Sequence, residues 1–342
     1  MTMRKNDTEA MRLAGLYRDW LHESTLAMSP HTIASYKEAF RCLMGYLEDN
    51  KGLGTGTFCS DAGFSKPLLT EWIAHMAGNG LKPQTCNARL SAVRSFLKYA
   101  ASRDIQYRKL YMEAGEVRGM KNDTEKVICL SKNAVKAILS VPDINTVAGY
   151  RDVILMSLAY CTGCRIDEAL SLTLSDVGLD VAEPYILVRG KGNKHRTLYV
   201  NSKMAGNLRK HIRKFHAYDT DGHRLLFFSK VKGPYEKLSH ESIRKRLKTY
   251  AQKAHEKCNE VPLDLHMHHF RHAMALQRLE DGMNIAQLSK ELGHESIQTT
   301  MIYLNVKPGM KEKAIMETQS KNIRQMPKKW KDKNIRLKEL FG

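Results

Sequence analysis

Tyr185-Ile-Leu-Val-Arg-Gly-Lys-Gly-Asn-Lys-His-Arg-Thr-Leu-Tyr-Val200 is the stretch where helical periodicity gives way. Residues 185–189 and 195–200 are two short β-rich runs. Gly190-Lys-Gly-Asn-Lys194 between them has turn composition, so the stretch predicts a β-hairpin. Around it the apolar residues recur at helical spacing. Helices are expected at 131–140 and 147–160 before the hairpin. After it they are expected at 202–216, 239–257, 268–281, 284–291 and 296–303. A mainly α chain with a small antiparallel β-sheet follows.

Further out, the N-terminal third predicts helices throughout. Leu13, Leu16, Tyr17, Trp20 and Leu21 mark the first, over about 9–26. Ser29-Pro30 supplies an N-cap and a proline at the first helical position. The stripe Ile33, Tyr36, Phe40, Leu43, Met44 and Leu47 then marks a second helix. Residues 51–64 hold Gly52, Gly54, Gly56 and Gly63 and are expected to be a loop, in contact with DNA or idle. A third helix is expected over about 66–78 with Trp72 and Met76. A fourth starts near Pro83 and carries Leu90, Val93, Phe96, Leu97 and Ala100. The expected organisation is a helical domain at 1–112, a charged linker with Gly115 and Gly119 at 113–126, and a mixed domain at 127–325. A basic tail at 326–342 would close the chain.

The chain has 342 residues, room for two ordinary domains. Its formal charge is +19 with 42% hydrophobic residues, enough apolar material for true cores and an expected polyanionic partner. The charge is spread: net +5 over 1–112, +7 over 113–303 and +7 over 304–342. No apolar run reaches the roughly 20 residues of a bilayer span, so no membrane is expected. The N-terminus lacks a secretion signal. Seven cysteines, an odd number, predict reduced thiols and a cytoplasmic setting.

Four separated pieces could carry chemistry: Arg165, Lys191, His268-x-x-Arg271, and Leu292-Gly-His294 with Tyr303. Singly, each is ordinary. An arginine near a helix start is usually solvated, and a tyrosine on an amphipathic helix is usually packing. Together and in order they resemble the tyrosine recombinase (phage integrase) family. The segments are Thr162-Gly-Cys-Arg-Ile-Asp-Glu-Ala-Leu170, Gly190-Lys-Gly-Asn-Lys-His-Arg196, His268-His-Phe-Arg-His272, and Leu292-Gly-His-Glu-Ser-Ile-Gln-Thr-Thr-Met-Ile-Tyr303. Arg271 and His294 are 23 residues apart, and His294 and Tyr303 nine, which suits the simple members. Ser29-Pro-His-Thr-Ile-x-x-Tyr36 is similar to the opening of the family's core-binding domain. The pattern departs from the family at Met267, His269, Phe270 and Cys164, none of them a catalytic position.

The resemblance implies a SAM-like helical core-binding domain, a mixed catalytic domain, and a C-shaped clamp on double-stranded DNA. It implies strand cleavage and rejoining through a 3′-phosphotyrosine and a Holliday junction. Arg165 and Arg271 would clamp the phosphate oxygens, charged at any biological pH. Tyr303 would attack, and Lys191 would protonate the departing 5′-oxygen. His268 and His294 would hydrogen-bond the phosphate, with His268 the better acceptor of the tyrosine proton. Glu168 would orient Arg165. The covalent link conserves the phosphodiester energy, so no metal, ATP or other cofactor is expected. Inverted-repeat core sites, a dimer on each and a homotetramer in synapsis follow from the family pattern, as does a bacterial, nucleoid-associated location. The core-binding pattern begins near Arg12, so an arm-binding domain is not expected. Leu337, Leu340 and Phe341 in the tail could form a helix face that docks on a neighbouring subunit.

Four rivals bear comparison. Cys161-x-x-Cys164 with His266, His268, His269 and His272 could suggest zinc, but there is no second CxxC. His266, His269 and His272 are expected to be solvated, DNA-contacting or packing residues. A silent DNA-binding module is disfavoured because all six catalytic positions are filled. A type IB topoisomerase uses similar chemistry, but the separate core-binding domain favours recombination. Mobile-element integration or excision ranks ahead of a Xer-like resolvase, because the 51–64 stretch and the long tail depart from the compact Xer form.

Overall fold

The computed structural model describes residues 5–121, 128–190, 194–216, 221–229 and 231–305. The chain divides into two compact units, 1–125 and 126–342. No helix among the described residues is long and apolar enough to cross a membrane.

The first unit is helical: α1 (Lys5–Ala27), α2 (Pro30–Lys51), α3 (Ser60–Phe64), α4 (Lys66–Gly78), α5 (Pro83–Arg103) and α6 (Arg108–Glu116). Ser29 caps α2 as its spacing predicted, its Oγ accepting from the Thr32 amide at 3.2 Å with Pro30 in the first turn. Gly52 ends α2 at φ +63, in the left-handed region that glycine enters without penalty. An aromatic knot closes the core. Phe40 stands edge-on to Phe96 at 5.1 Å, and Trp20 stacks on Tyr36 at 4.8 Å.

Two expectations for this unit need correction. The 51–64 stretch is not an idle loop. It contains α3, and Phe58 and Phe64 are buried in the core. The linker expected from 113 also begins later. α6 runs to Glu116, and Ala114 and Val117 are buried against α5. Arg94 donates its Nε to Ala114 O at 2.8 Å, and Asn87 pairs with both the amide and the carbonyl of Met120 at 2.8 and 2.9 Å. Glycines and charges marked a linker composition. Alanine, valine and two side-chain clamps on the backbone decide otherwise.

The second unit is built on α8 (Val147–Thr162), which packs against α10 (Ser202–His216) and α12 (Met267–Glu280). Around them lie α7 (Lys132–Leu139), α9 (Ile166–Leu170), α11 (His240–His255), α13 (Ile285–Leu292) and α14 (Gln298–Met301). The hairpin forms as expected from β2 (Tyr185–Arg189) and β3 (His195–Tyr199), with Tyr185 opposite Tyr199 and Arg189 opposite His195. A short strand β1 (Val177–Gly178) pairs antiparallel on the other edge of β2, giving the order β1-β2-β3. A separate two-stranded ladder joins β4 (Phe228–Ser229) to β5 (Gly233–Lys237). Ile186, Val188 and Leu198 point into the core by the period of two.

The core also holds ionic groups. The Asp152 carboxylate accepts from Arg246 Nε at 2.5 Å and from Tyr250 Oη at 2.9 Å, with Arg151 beside it. Several histidines of this unit are buried and neutral. His211 is pushed down to about 4 by burial, and His269 and His294 likewise to about 4. A histidine whose folded pKa is depressed stabilises the fold fully above its unfolded value of about 6.5. That contribution is lost as pH falls towards the folded value. The second unit is therefore expected to lose stability between pH 6.5 and 4, read as a falling thermal midpoint in circular dichroism. A midpoint constant across that window would refute the neutral-histidine account.

Candidate active site

α8 ends at Gly163, φ +64, and the chain reverses into α9 with Arg165 at its N-cap. A side chain at position 163 would be strained by the left-handed backbone, and its Cβ would have to displace the tip of Met274, whose Cε would lie 2.0 Å away. The turn also frees a carbonyl, and Gly163 O accepts from Arg271 Nη1 at 2.6 Å. The Thr-Gly-Cys-Arg segment thus places one arginine and anchors the other.

Glu168 sits in the first turn of α9, almost fully buried, and bonds back to the Arg165 amide at 2.7 Å and to the Arg165 guanidinium at 3.1 Å. Glu168 thus touches the guanidinium that it is expected to orient. Burial opposes the charge, but the Arg196 and Arg165 donors outweigh it and hold the carboxyl below the usual range. Arg165 Nη2 also reaches Gly293 O at 3.2 Å, and its side chain remains 39% exposed.

Arg196 was quoted in the sequence as the end of a motif, without a role. In the structure it grips Glu168 bidentately at 2.8 and 2.7 Å and donates Nε to Glu291 O at 3.2 Å. It therefore braces the base of the hairpin against α9 and against the end of α13. The alternation of β3 carries the signal, since residue 196 shares the face of Leu198 and Val200, both buried. An arginine on a core face needs a buried partner. Gly293, φ +64, ends α13, and a Cβ there would meet the Arg196 guanidinium at 2.9 Å. Arg196→Ala should slow DNA cleavage about 100-fold with DNA affinity retained, because Glu168 and the Arg165 it bonds lose their alignment. A gel-shift titration beside single-turnover cleavage checks this, and equal losses in both would count against it.

Arg271, on α12, is buried. It donates Nη2 to Leu292 O at 2.7 Å and to His294 Nε2 at 2.9 Å. Its Nε is buried with no partner among the described residues. Burial, with Arg165 nearby, lowers its pKa to about 10, so it stays charged at neutral pH. An arginine can only donate, so His294 Nε2 must accept. The proton therefore sits on Nδ1, which faces Thr300 Oγ1 at 2.8 Å. In this arrangement His294 steadies Arg271, and Thr300 fixes the tautomer.

Tyr303 follows α14 in a short 3-10 turn, Ile302–Asn305, and is 1% exposed. Its ring packs with Met274, Ala275, Leu288 and Leu292. Its hydroxyl meets His272 Nδ1 at 2.9 Å, where the sequence expectation favoured His268. His268 is exposed one turn earlier on α12, its ring edge-on to His272 at 4.5 Å. Burial raises Tyr303 to about 12, against the pull of Arg271 and Arg165. His272, expected to be a solvated, DNA-contacting or packing residue, instead holds the candidate nucleophile.

Lys191 lies outside the described residues, as does the tail after Asn305. The base of its hairpin is described: Gly190 donates to Lys194 O at 2.7 Å, and a Cβ on Gly190 would lie 3.5 Å from Arg196 Nη1. The loop thus springs from beside the Glu168–Arg196 pair. Among the described residues no three histidines, cysteines or carboxylates stand together as a metal site. Cys164 is buried and its thiol pushed up to about 11, which disfavours the thiolate that zinc would need.

The described geometry thus gathers Arg165, Glu168, Arg271 and His294 into one hydrogen-bonded group, with Tyr303 close enough to feel both arginines. Comparison with known proteins agrees. The chain is 28% identical over 292 residues to a putative integrase/recombinase, y4rC, of Sinorhizobium fredii, covering 85% of this chain and 86% of that protein. It is 28% identical over 290 residues to the tyrosine recombinase XerD of Staphylococcus epidermidis, covering 82% and 89%. Among solved structures it resembles the Tn1549 transposon integrase in complex with transposon right-end DNA, at TM-score 0.67 and 19% identity over 90% of this chain and 99% of that one. The XerH site-specific recombinase bound to its palindromic difH substrate gives 0.64 and 19% over 84% and 80%. Residues 20–104 match the phage integrase N-terminal SAM-like domain, residues 110–310, more than half of the chain, match the phage integrase family, and the chain belongs to that family of tyrosine recombinases.

Proposed function

We propose that this recombinase cuts and rejoins DNA with Tyr303 as nucleophile and Arg165 and Arg271 as the clamp on the scissile phosphate. The observation that carries the reading is the convergence of both guanidiniums on the Gly293–His294 turn: Arg165 bonds Gly293 O at 3.2 Å, Arg271 bonds His294 at 2.9 Å. Attack on the phosphorus adds charge to the nonbridging oxygens, and two fixed cations stabilise that charge where it develops. Exposed Arg165 meets the phosphate first. Arg271, rigid from its carbonyl anchors, lies buried behind it and contributes its fixed positive charge. Exposed His268 donates to the phosphate, and His294 holds Arg271 in register. Lys191 protonates the 5′-oxygen as it leaves.

Both units bind the core half-site. Two protomers occupy inverted half-sites, and two such dimers make the tetramer that exchanges strands. The basic distribution along the chain makes the affinity fall steeply with salt. The biological occasion is the movement of a mobile element. Similarity to a transposon integrase over 99% of that chain supports it. The 51–64 stretch no longer does, since its phenylalanines are core residues. The XerD likeness supports the alternative, resolution of chromosome or plasmid dimers. Sequencing the DNA covalently trapped on the protein decides between them. Element ends identify an integrase, and a single chromosomal or plasmid site identifies a resolvase.

A further inference from the structure

We propose that His272 is a catalytic residue of the strand-transfer step, holding the Tyr303 hydroxyl through Nδ1 and taking its proton as the new ester forms. The inference rests on Tyr303 being the nucleophile. The geometry starts from the phenol. Its ring is enclosed by Met274, Leu288 and Leu292, and the one hydrogen-bond partner of its hydroxyl among the described residues is His272 Nδ1 at 2.9 Å. A buried hydroxyl proton without an acceptor is costly, so the phenol donates and Nδ1 accepts. That leaves the imidazole neutral with its proton on Nε2. Burial also depresses His272 to about 3, so the ring is neutral at physiological pH and a weak base, which takes the proton only as the Oη–P bond forms and the phenolic oxygen turns acidic.

Other groups are placed for other tasks. His268 is exposed and turned edge-on to the His272 ring. His294 spends both nitrogens on Arg271 and Thr300. The ionisable neighbours of Tyr303 besides His272 are Arg271, Arg165 and Cys129, and those of His272 are His268, His269, Arg271 and His266. None of the cations accepts a proton. His272 also follows Arg271 directly on α12, so the clamp and the proton acceptor are set by one rigid helix.

In the step itself, the Tyr303 Oη–P bond forms and the P–O5′ bond breaks. The phenol proton passes to His272 Nδ1, and the 5′-oxygen takes a proton from Lys191. On rejoining both protons return by the same route, so His272 serves as acid in the reverse direction.

The test is single-turnover cleavage of a nicked suicide duplex by the full chain. It compares the wild type with His272→Ala, His272→Asn, His272→Leu and Tyr303→Phe. Asparagine offers a carbonyl oxygen near the place of Nδ1, and leucine fills the space with no acceptor. At pH 7 the alanine and leucine variants should cleave about 100-fold more slowly with unchanged gel-shift affinity, and asparagine, whose amide oxygen holds the phenol but takes no proton, should stay within a few-fold of leucine. Without the acceptor, attack depends on phenolate already formed. The deficit of the leucine variant should therefore shrink as pH rises from 7 to 9.5, which a packing defect would not produce. If alanine disrupts the fold, the asparagine–leucine comparison stands in its place. Cleavage at or above the wild-type rate in the leucine variant would overturn the proposal and make the contact a restraint on the nucleophile. So would an asparagine variant that recovers most of the wild-type rate, since it would show that holding the hydroxyl is enough. A covalent adduct persisting in Tyr303→Phe would overturn the nucleophile assignment itself, separately from the histidine.

Discussion

Tyr303→Phe should abolish the covalent protein–DNA adduct and leave DNA binding intact. The substitution removes one oxygen from a ring already packed among Met274, Leu288 and Leu292, so the core is undisturbed. The hydrogen bond to His272 is lost, which costs about 1 kcal/mol of stability. The thermal midpoint therefore moves by a few degrees at most. Tyr303 is the hydroxyl that feels both arginines, so the expected loss of cleavage is complete within detection, at least about 10⁴-fold. Denaturing electrophoresis of a labelled suicide duplex reads the adduct, and a gel shift reads binding. Binding must survive for the reading to hold, because the attacking hydroxyl is one contact among the many phosphate contacts that hold the DNA. An adduct at the wild-type level would mean that another side chain attacks.

Much of this arrangement is written in local sequence. Ser29-Pro30, Ser65 before Pro67, and the glycines at 52, 163 and 293 are caps and helix ends whose residue types declare their conformation. The hairpin at 185–200 is legible for the same reason. Elements too short to repeat their period are not: α3 has five residues and β1 two, so neither develops a stripe. Phe58 and Phe64 therefore lack the periodicity that would mark them as core residues. In the site, the motif positions were legible because their residue types are few and their spacings fixed. What joins them was not. Glu168 meets Arg196 across 28 positions and His272 meets Tyr303 across 31, and such contacts depend on packing of the whole unit. Arg196 was within reach of pattern reasoning, as a charge on the inner face of an alternating strand. His272 was not, because it stands on a helix whose neighbouring histidines point both inward and outward.

The two arginines differ in how the protein holds them, and this sets the second large effect. Arg165→Ala should reduce single-turnover cleavage by roughly 10³-fold or more, on the scale found for arginines that stabilise a phosphoryl transition state. Its side chain is 39% exposed and its partner Glu168 keeps the bidentate grip of Arg196, so no buried charge is stranded and the fold should hold. Affinity should fall only a few-fold, because one of many phosphate contacts is lost from the ground state while the transition state loses half its clamp. Arg271→Ala is a harsher change. It empties a buried position and leaves the carbonyls of Gly163 and Leu292 and the His294 Nε2 lone pair without their donor. Each unpaired buried group costs about 1–3 kcal/mol, so that variant should lose stability as well as rate. Measuring kcat, affinity and thermal midpoint for both variants separates the two kinds of loss. Arg165→Ala should be slow but stable, and Arg271→Ala slow and fragile. A stable, slow Arg271→Ala would mean that its carbonyl contacts contribute little to the fold. An Arg165→Ala that binds DNA poorly and cleaves what it binds at the normal rate would move Arg165 from the transition state to ordinary phosphate binding.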